Sequence, residues 1–389
     1  MLVILLTPIV GNSDFFNWVA LARDVYVGLG NGNLTPVGVS AYTGLGYMLS
    51  PFYALWALLP IHHPTLEEMI GAHSAEATSL TLIMKLPILV FDLLAGILIF
   101  HLIRLVTGSV QKGGLAFLAW YLNPYNAYWT VFFGGYDIIP TVLLIAAVVF
   151  GSQKRWFWSG ILLSLAGVLR LFPFLLIPFF ILHSSKDGTR AILRLLVSLL
   201  APVVIAFAAL GYAVGSYSTL WSALIAVAGQ EPWLLKYYGV SITSDLFKLT
   251  PFLLIVQLYL ARRFWTNTSF SLMHLTTASL LVLLLSSIGY GGGTAGVGYH
   301  LIWLSPFLSA YYSVSRGARW LFILTFISAS LYPVLPETLY RPPVLPLFEP
   351  LFAGWLYGFK AAYLLQLNLE GAEIPQVLSV DFHTLPHLS

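Results

Sequence analysis

The sequence predicts an all-α fold, a polytopic transmembrane helical bundle of about 11–12 crossings counting short broken helices. An outer-face first loop carries interfacial helices. Three observations predict this. Only 8% of the 389 residues are charged, against roughly 25% in soluble domains, so the charged shell of a soluble core is missing. Long apolar runs are punctuated by small basic clusters. Phe, Trp and Tyr reach 15% of the chain, as expected where rings anchor helix ends at the headgroups. The net charge of +3 is small and scattered, which argues against nucleic acid as a partner. There is no cysteine, so disulfides and thiolate chemistry are excluded.

In chain order, Met1–Val10 is apolar but lacks the basic start and cleavage site of a signal peptide. As a helix it covers ~15 Å, half the hydrocarbon thickness. It reads as the end of a first membrane helix whose start is short or precedes Met1. Phe15, Trp18, Val19, Ala22, Val25 and Leu29 then recur at helical spacing, as in an amphipathic helix in the interface. Residues 42–60 are apolar enough to span, but a span would carry the acidic 61–79 loop inside. They are expected to form a re-entrant or interfacial hairpin on the outer face, interrupted at Pro51.

Five basic clusters set the topology: Arg104/Lys112, Lys154/Arg155, Lys186/Arg190/Arg194, Arg262/Arg263 and Arg316/Arg319. Short loops rich in Lys and Arg stay in the cytoplasm, and the acidic loops between them face outward. Residues 157–183 run between two such basic loops, so they must enter the membrane and return. The sequence Arg170-Leu-Phe-Pro173 marks the break, because proline disfavours helix around it. Two short helices are expected, 157–169 and 172–183, with Arg170 near the outer tip. Segment 138–151 is also short. The other spans are 80–103, 114–131, 195–217, 241–260, 270–290, 299–314, 320–336 and 350–368. Residues 1–369 read as a single transmembrane domain, and 370–389 as a short polar tail.

Ionisable residues within membrane segments are costly and therefore candidates for function. Asp14 follows the N-terminal stub; it reads as a first-turn acid facing the helix dipole or as a general base at the membrane surface. Arg170 reads as a snorkelling arginine or as an anion clamp, since guanidinium offers a permanent charge and a fork of donors. Asp137 precedes Ile138-Ile139-Pro140, the pattern of a helix N-cap with proline in the first turn. Lys85 and Asp92 lie seven apart on one span and read as a buried pair. Tyr299, His300 and Trp303 open a span after the Gly-rich stretch 289–298; His300 serves as a polar anchor or as a phosphate ligand. That Gly-rich stretch lacks the strand, lysine and serine of a nucleotide loop. Asn33-Leu34-Thr35 is a sequon. No metal-spaced cluster is visible and no cofactor is expected, with a divalent metal left open.

Taken in order, these features resemble the GT-C superfamily of polytopic glycosyltransferases, and within it the glycosylphosphatidylinositol mannosyltransferases and their prokaryotic relatives. The stretches that carry the resemblance are Ser13-Asp14-Phe15, the Tyr42–Pro51 hairpin, Lys85 through Asp92, and Leu122-Asn123-Pro124. Gly134-Gly135-Tyr136-Asp137, Ser159-Gly160 through Arg170-Leu-Phe-Pro173, and Gly298 through Trp303 complete the set. Two departures stand out. Asp14 lacks an adjacent second acid, the nearest being Asp24, and an arginine replaces the usual lysine before the proline. The resemblance implies a polyprenyl- or dolichyl-phosphate sugar as donor, mannose favoured, and a lipid or glycan hydroxyl as acceptor. It implies Asp14 as base in an inverting displacement, and Arg170, Asp137, Tyr299, His300, Tyr42 and Asp24 as substrate-binding residues. A compact chain without retention signals fits the plasma membrane of an archaeon or bacterium. The competing reading is a secondary transporter or lipid flippase, which should show two matching halves with broken helices in both; the sequence shows one clear broken hairpin. A non-catalytic assembly subunit is the third reading.

Overall fold

A computed structural model describes residues 13–30, 43–60, 75–123, 126, 130, 134–170, 172–214, 218, 271–287, 301–314, 319 and 323. Met1–Val10, the expected spans 241–260 and 350–368, the tail and almost all of 320–336 lie outside this set. Among the described residues every regular element is helical.

Helix α1 is Ser13–Gly30. Its stripe of Phe15, Trp18, Val19, Ala22 and Val25 is buried, and the helix packs on α2, Thr43–Ala57. The helical spacing is as read, but the stripe meets protein. Helix α2 runs unbroken through Pro51, which corrects the expected interruption. Proline has no N–H for the Tyr47 carbonyl, and Ser50 Oγ donates to that oxygen instead, at 3.0 Å. Trp56 Nε1 ties α2 to α3 by donating to Ser79 Oγ at 3.0 Å.

Helix α3 spans Ala75–Thr107. Its apolar part, Ser79–Thr107, has 29 residues, about 44 Å of helix, longer than a ~30 Å hydrocarbon core. Lys85 and Asp92 are both buried on it. Among the described residues no ion pair joins them; Asp92 has the Thr130 hydroxyl 3.3 Å away. Helix α4, Val110–Tyr121, starts at Ser109, whose Oγ accepts from the Lys112 N–H. It stops before Asn123-Pro124, since a residue ahead of proline avoids helix. Within the expected 114–131 span, α4 covers the first part, and beyond Asn123 the described Asn126 and Thr130 are again helical.

The break at Arg170 is as expected. Helices α5 (Ile138–Ser152) and α6 (Trp156–Leu169) are followed by extended backbone at Arg170, φ −152° and ψ 130°. A 3-10 turn (Phe172–Leu176) and α7 (Ile177–Ser184) come next. Pro173 and Pro178 each lack the N–H that an α-helix would need there, so the return begins as a 3-10 turn and α7 takes proline in its first turn. The two ends of this run meet. Lys154 Nζ lies 2.8 Å from Asp187 Oδ1, and Trp156 Nε1 donates to Asp187 Oδ2 at 2.9 Å. The chain has thus gone out and come back, with Arg170 at the far turn.

Helix α8, Thr189–Val214, packs on α6. Gly160 permits the approach, since a β-carbon there would stand 2.7 Å from the Leu195 carbonyl oxygen and overlap Ser198 Oγ. Ser164 Oγ donates across the same seam to the Leu199 carbonyl at 2.7 Å. The opposite side of α8 leaves Leu193, Val197, Leu200 and Val204 exposed, a stripe at helical spacing suited to lipid. Of the described helices, α3 and α8 are long and apolar enough to cross a membrane. Helix α9 is Ser271–Ser287; a 3-10 turn, Leu301–Trp303, leads into α10, Ser305–Val314. One apolar core runs from α1 and α2 through α3, α5 and α6 to α9 and α10.

Candidate functional site

The site forms where the turn before α5, the break after α6 and the 3-10 turn before α10 meet. Gly134 and Gly135 both donate their N–H groups to the Thr130 carbonyl, each at 3.1 Å. Gly134 has φ +81°, and a β-carbon there would stand 2.7 Å from Phe15 Cδ2 and 3.4 Å from Lys85 Cε. Glycine meets both demands, left-handed backbone and close approach. Tyr136 is buried, and its hydroxyl donates to the Met84 carbonyl at 2.6 Å.

Asp137 follows. It occupies the N-cap position of α5, yet its carboxylate caps nothing, which corrects the role read from sequence. Its backbone is helical, φ −61° and ψ −14°. A capping residue needs extended backbone for its side chain to turn onto the first N–H groups. The carboxylate serves two other segments instead. Arg170 Nε lies 2.8 Å from Oδ1; this is a charge contact without hydrogen-bond alignment. The aligned bond runs from Arg170 Nη2 to Oδ2, at 3.4 Å. Trp303 Nε1 donates to the same Oδ2 at 3.1 Å. Asp137 is 2% exposed and Arg170 13%, so the pair is buried and, as a unit, neutral. Phe172, two residues past Arg170, stacks on Trp303 with 4.0 Å between ring centroids and 10° between planes.

Helix α1 abuts this arrangement. Phe15 stacks on Tyr136 at 6.1 Å, and Trp18 meets the same ring edge-on at 6.3 Å. Lys85 Nζ stands 5.4 Å over the Phe15 ring. Asp14 immediately precedes Phe15 in the first turn of α1; its side chain lies outside the described set.

Of the substrate-binding residues expected from sequence, the structure joins Arg170 to Asp137. Asp24 is elsewhere. It pairs with Arg23 at 3.0 Å, roughly 15 Å of helix rise beyond Asp14, so it is no second acid for Asp14. Tyr42, Tyr299 and His300 lie outside the described residues. Trp303 was visible as part of the segment that opens the last described span, but nothing in its neighbourhood linked it to Asp137. Lys85, read as the partner of Asp92, instead faces the start of α1. Among the described residues no three His, Asp or Glu side chains gather to hold a metal ion.

No curated protein and no solved structure matches the chain. Residues 78–239 match the model of Glycosyltransferase family 87, less than half of the chain, and the match includes α3 to α8 and the Asp137–Arg170 pair. It lends no support to the narrower likeness to glycosylphosphatidylinositol mannosyltransferases. The match indicates glycosyltransferase activity of the GT-C membrane type, with a sugar donor and an acceptor.

Proposed function

We propose that the protein transfers a sugar, mannose in the first instance, from a polyprenyl- or dolichyl-phosphate carrier to an acceptor hydroxyl at the extracytoplasmic membrane surface. One observation carries the reading. Three segments distant in sequence converge: the first turn of α1 with Asp14, the Gly134–Asp137 turn, and the break at Arg170. In this reading Asp14 is the acid that takes a proton, and the buried guanidinium of Arg170 is the group that meets a phosphate.

The acceptor oxygen attacks the anomeric carbon, and Asp14 takes its proton. The bond from that carbon to the phosphate oxygen breaks, and the lipid phosphate leaves with the electron pair. A single displacement inverts the anomeric centre. Preorganised donors aimed at developing charge are the main electrostatic resource of such a site. Because Asp137 neutralises Arg170, the guanidinium contributes directed N–H groups more than net charge, and Asp137 with Trp303 fixes their direction. Tyr299, His300 and Tyr42 are assigned to substrate binding on the sequence resemblance alone.

The test is label transfer in membranes containing the protein, from radiolabelled polyprenyl-phosphate mannose and other lipid-phosphate sugars, to a broad acceptor mixture. Transfer above membranes lacking the protein supports the reading. No transfer from any donor, with flux of the lipid-linked sugar across proteoliposomes, would establish the transporter or flippase reading instead.

A further inference from the structure

The polar groups buried between α3, α4 and α10 take no part in the chemistry above. Asp92 and Thr130 are buried, with Thr130 Oγ1 3.3 Å from Asp92 Oδ1. Asn126 is buried; its Nδ2 donates to the Trp120 carbonyl at 3.1 Å. Its Oδ1 accepts from Ser305 Oγ. Ser309 Oγ then donates to the Ser305 carbonyl at 3.0 Å. Polar groups in such surroundings are expensive unless satisfied, and apolar side chains would hold two helices together without that cost. What the polar version adds is direction.

The connectivity shows where the direction matters. Asn126–Ser305 and Asp137–Trp303 are two rungs between the same two stretches of chain, one leading into α5 and one leading into α10. The first stretch is tied to α3 at two further points, Thr130 to Asp92 and Tyr136 to the Met84 carbonyl. Sliding either stretch would break both rungs together. We propose that Asp92, Thr130, Asn126 and Ser305 are positioning residues, a buried clasp that sets the register of Asp137 against Trp303 and so aims Arg170. The proposal rests on the glycosyltransferase reading for its kinetic consequences and on geometry alone for the clasp. Thr130 Oγ1 also lies 2.5 Å from the Asn126 carbonyl oxygen, and one hydroxyl proton faces both acceptors. A side chain at 92 that can itself donate completes the chain, and asparagine can.

The experiment compares transfer kinetics of wild type, D92N, D92L and T130V, and a cycle of W303F, S305A and their double variant. Expected are D92N within about twofold of wild type, and D92L and T130V reduced in kcat about tenfold to hundredfold with the donor KM unchanged, as misplacement of a reacting group by ~1 Å costs. W303F and S305A together should cost less than the product of their separate effects, since both disturb one alignment. Wild-type kcat in folded D92L and T130V overturns the clasp. So does D92N as impaired as D92L, which would assign Asp92 a charge or proton role, or W303F and S305A effects that multiply. The same cycle read by thermal unfolding needs no substrate. Coupling there, with no transfer by wild type, removes the glycosyltransferase reading and keeps the clasp; additivity there removes the clasp.

Discussion

Replacing Asp137 by asparagine should expose how the site is held. The substitution keeps size and removes charge. In the wild-type protein the carboxylate is 2% exposed and its partner Arg170 13%, so neither is well solvated. Asparagine leaves the guanidinium charged and buried, and removes the Asp137 counter-charge. Breaking one side of such a pair costs about 3–5 kcal/mol, much of a typical stability of 5–15 kcal/mol. Removing both sides is different, because a buried pair replaced by neutral groups is often tolerated. The double variant Asp137→Asn with Arg170→Gln is therefore expected to be more stable than Asp137→Asn alone. Thermal or denaturant unfolding of detergent-purified protein measures this, and the cycle isolates the coupling. An Asp137→Asn protein within about 1 kcal/mol of wild type, or additive single effects, would refute the claim that a buried charge pair organises the turn.

Three further outcomes follow from the same geometry. Trp303→Phe keeps the stack on Phe172 but loses the N–H bond to Asp137, a bond to a charged group worth about 1.5–3 kcal/mol; unfolding should shift by that order, and Arg170→Ala should add less in its presence than alone. Gly134→Ala must adopt φ +81° and crowd Phe15, costing about 1–3 kcal/mol, and should lower transfer by moving the start of α1; unchanged stability would contradict the close approach. Burial pushes the Asp187 carboxyl up, but hydrogen bonds from Lys154 and Trp156 and the Lys154 charge outweigh it and hold it below the usual range. Its contribution is therefore present above the ordinary carboxylate range and is lost as pH falls through the lowered value, so the unfolding midpoints of wild type and Asp187→Asn should differ at neutral pH and converge in acid.

Much of the helix layout was legible because it follows from local physics. The Arg170 break could be read because Pro173 and two basic loops demanded it, and helices 156–169 and 138–152 fall within a residue of the expected 157–169 and 138–151. Pro51 misled because the compensation comes from a neighbouring hydroxyl, Ser50, which composition does not single out. Asp137 misled for a related reason. Its sequence context is that of an N-cap, while its role is set by Arg170 and Trp303, far along the chain. The pairing of Lys85 with Asp92 followed from spacing on one face, and was overridden by Thr130 and by the approach of Phe15. Tertiary contacts of this kind leave no periodic trace.

Asp14, at the start of α1, is proposed to act as base on an acceptor at the outer surface. The direct measurement is transfer of radiolabelled mannose from its polyprenyl phosphate by purified wild-type and Asp14→Asn proteins, matched for expression and unfolding temperature. Asp14→Asn is expected to lose about 10²- to 10⁴-fold in transfer, the usual worth of a positioned general base, with donor binding retained. A folded Asp14→Asn protein that transfers at the wild-type rate would contradict it.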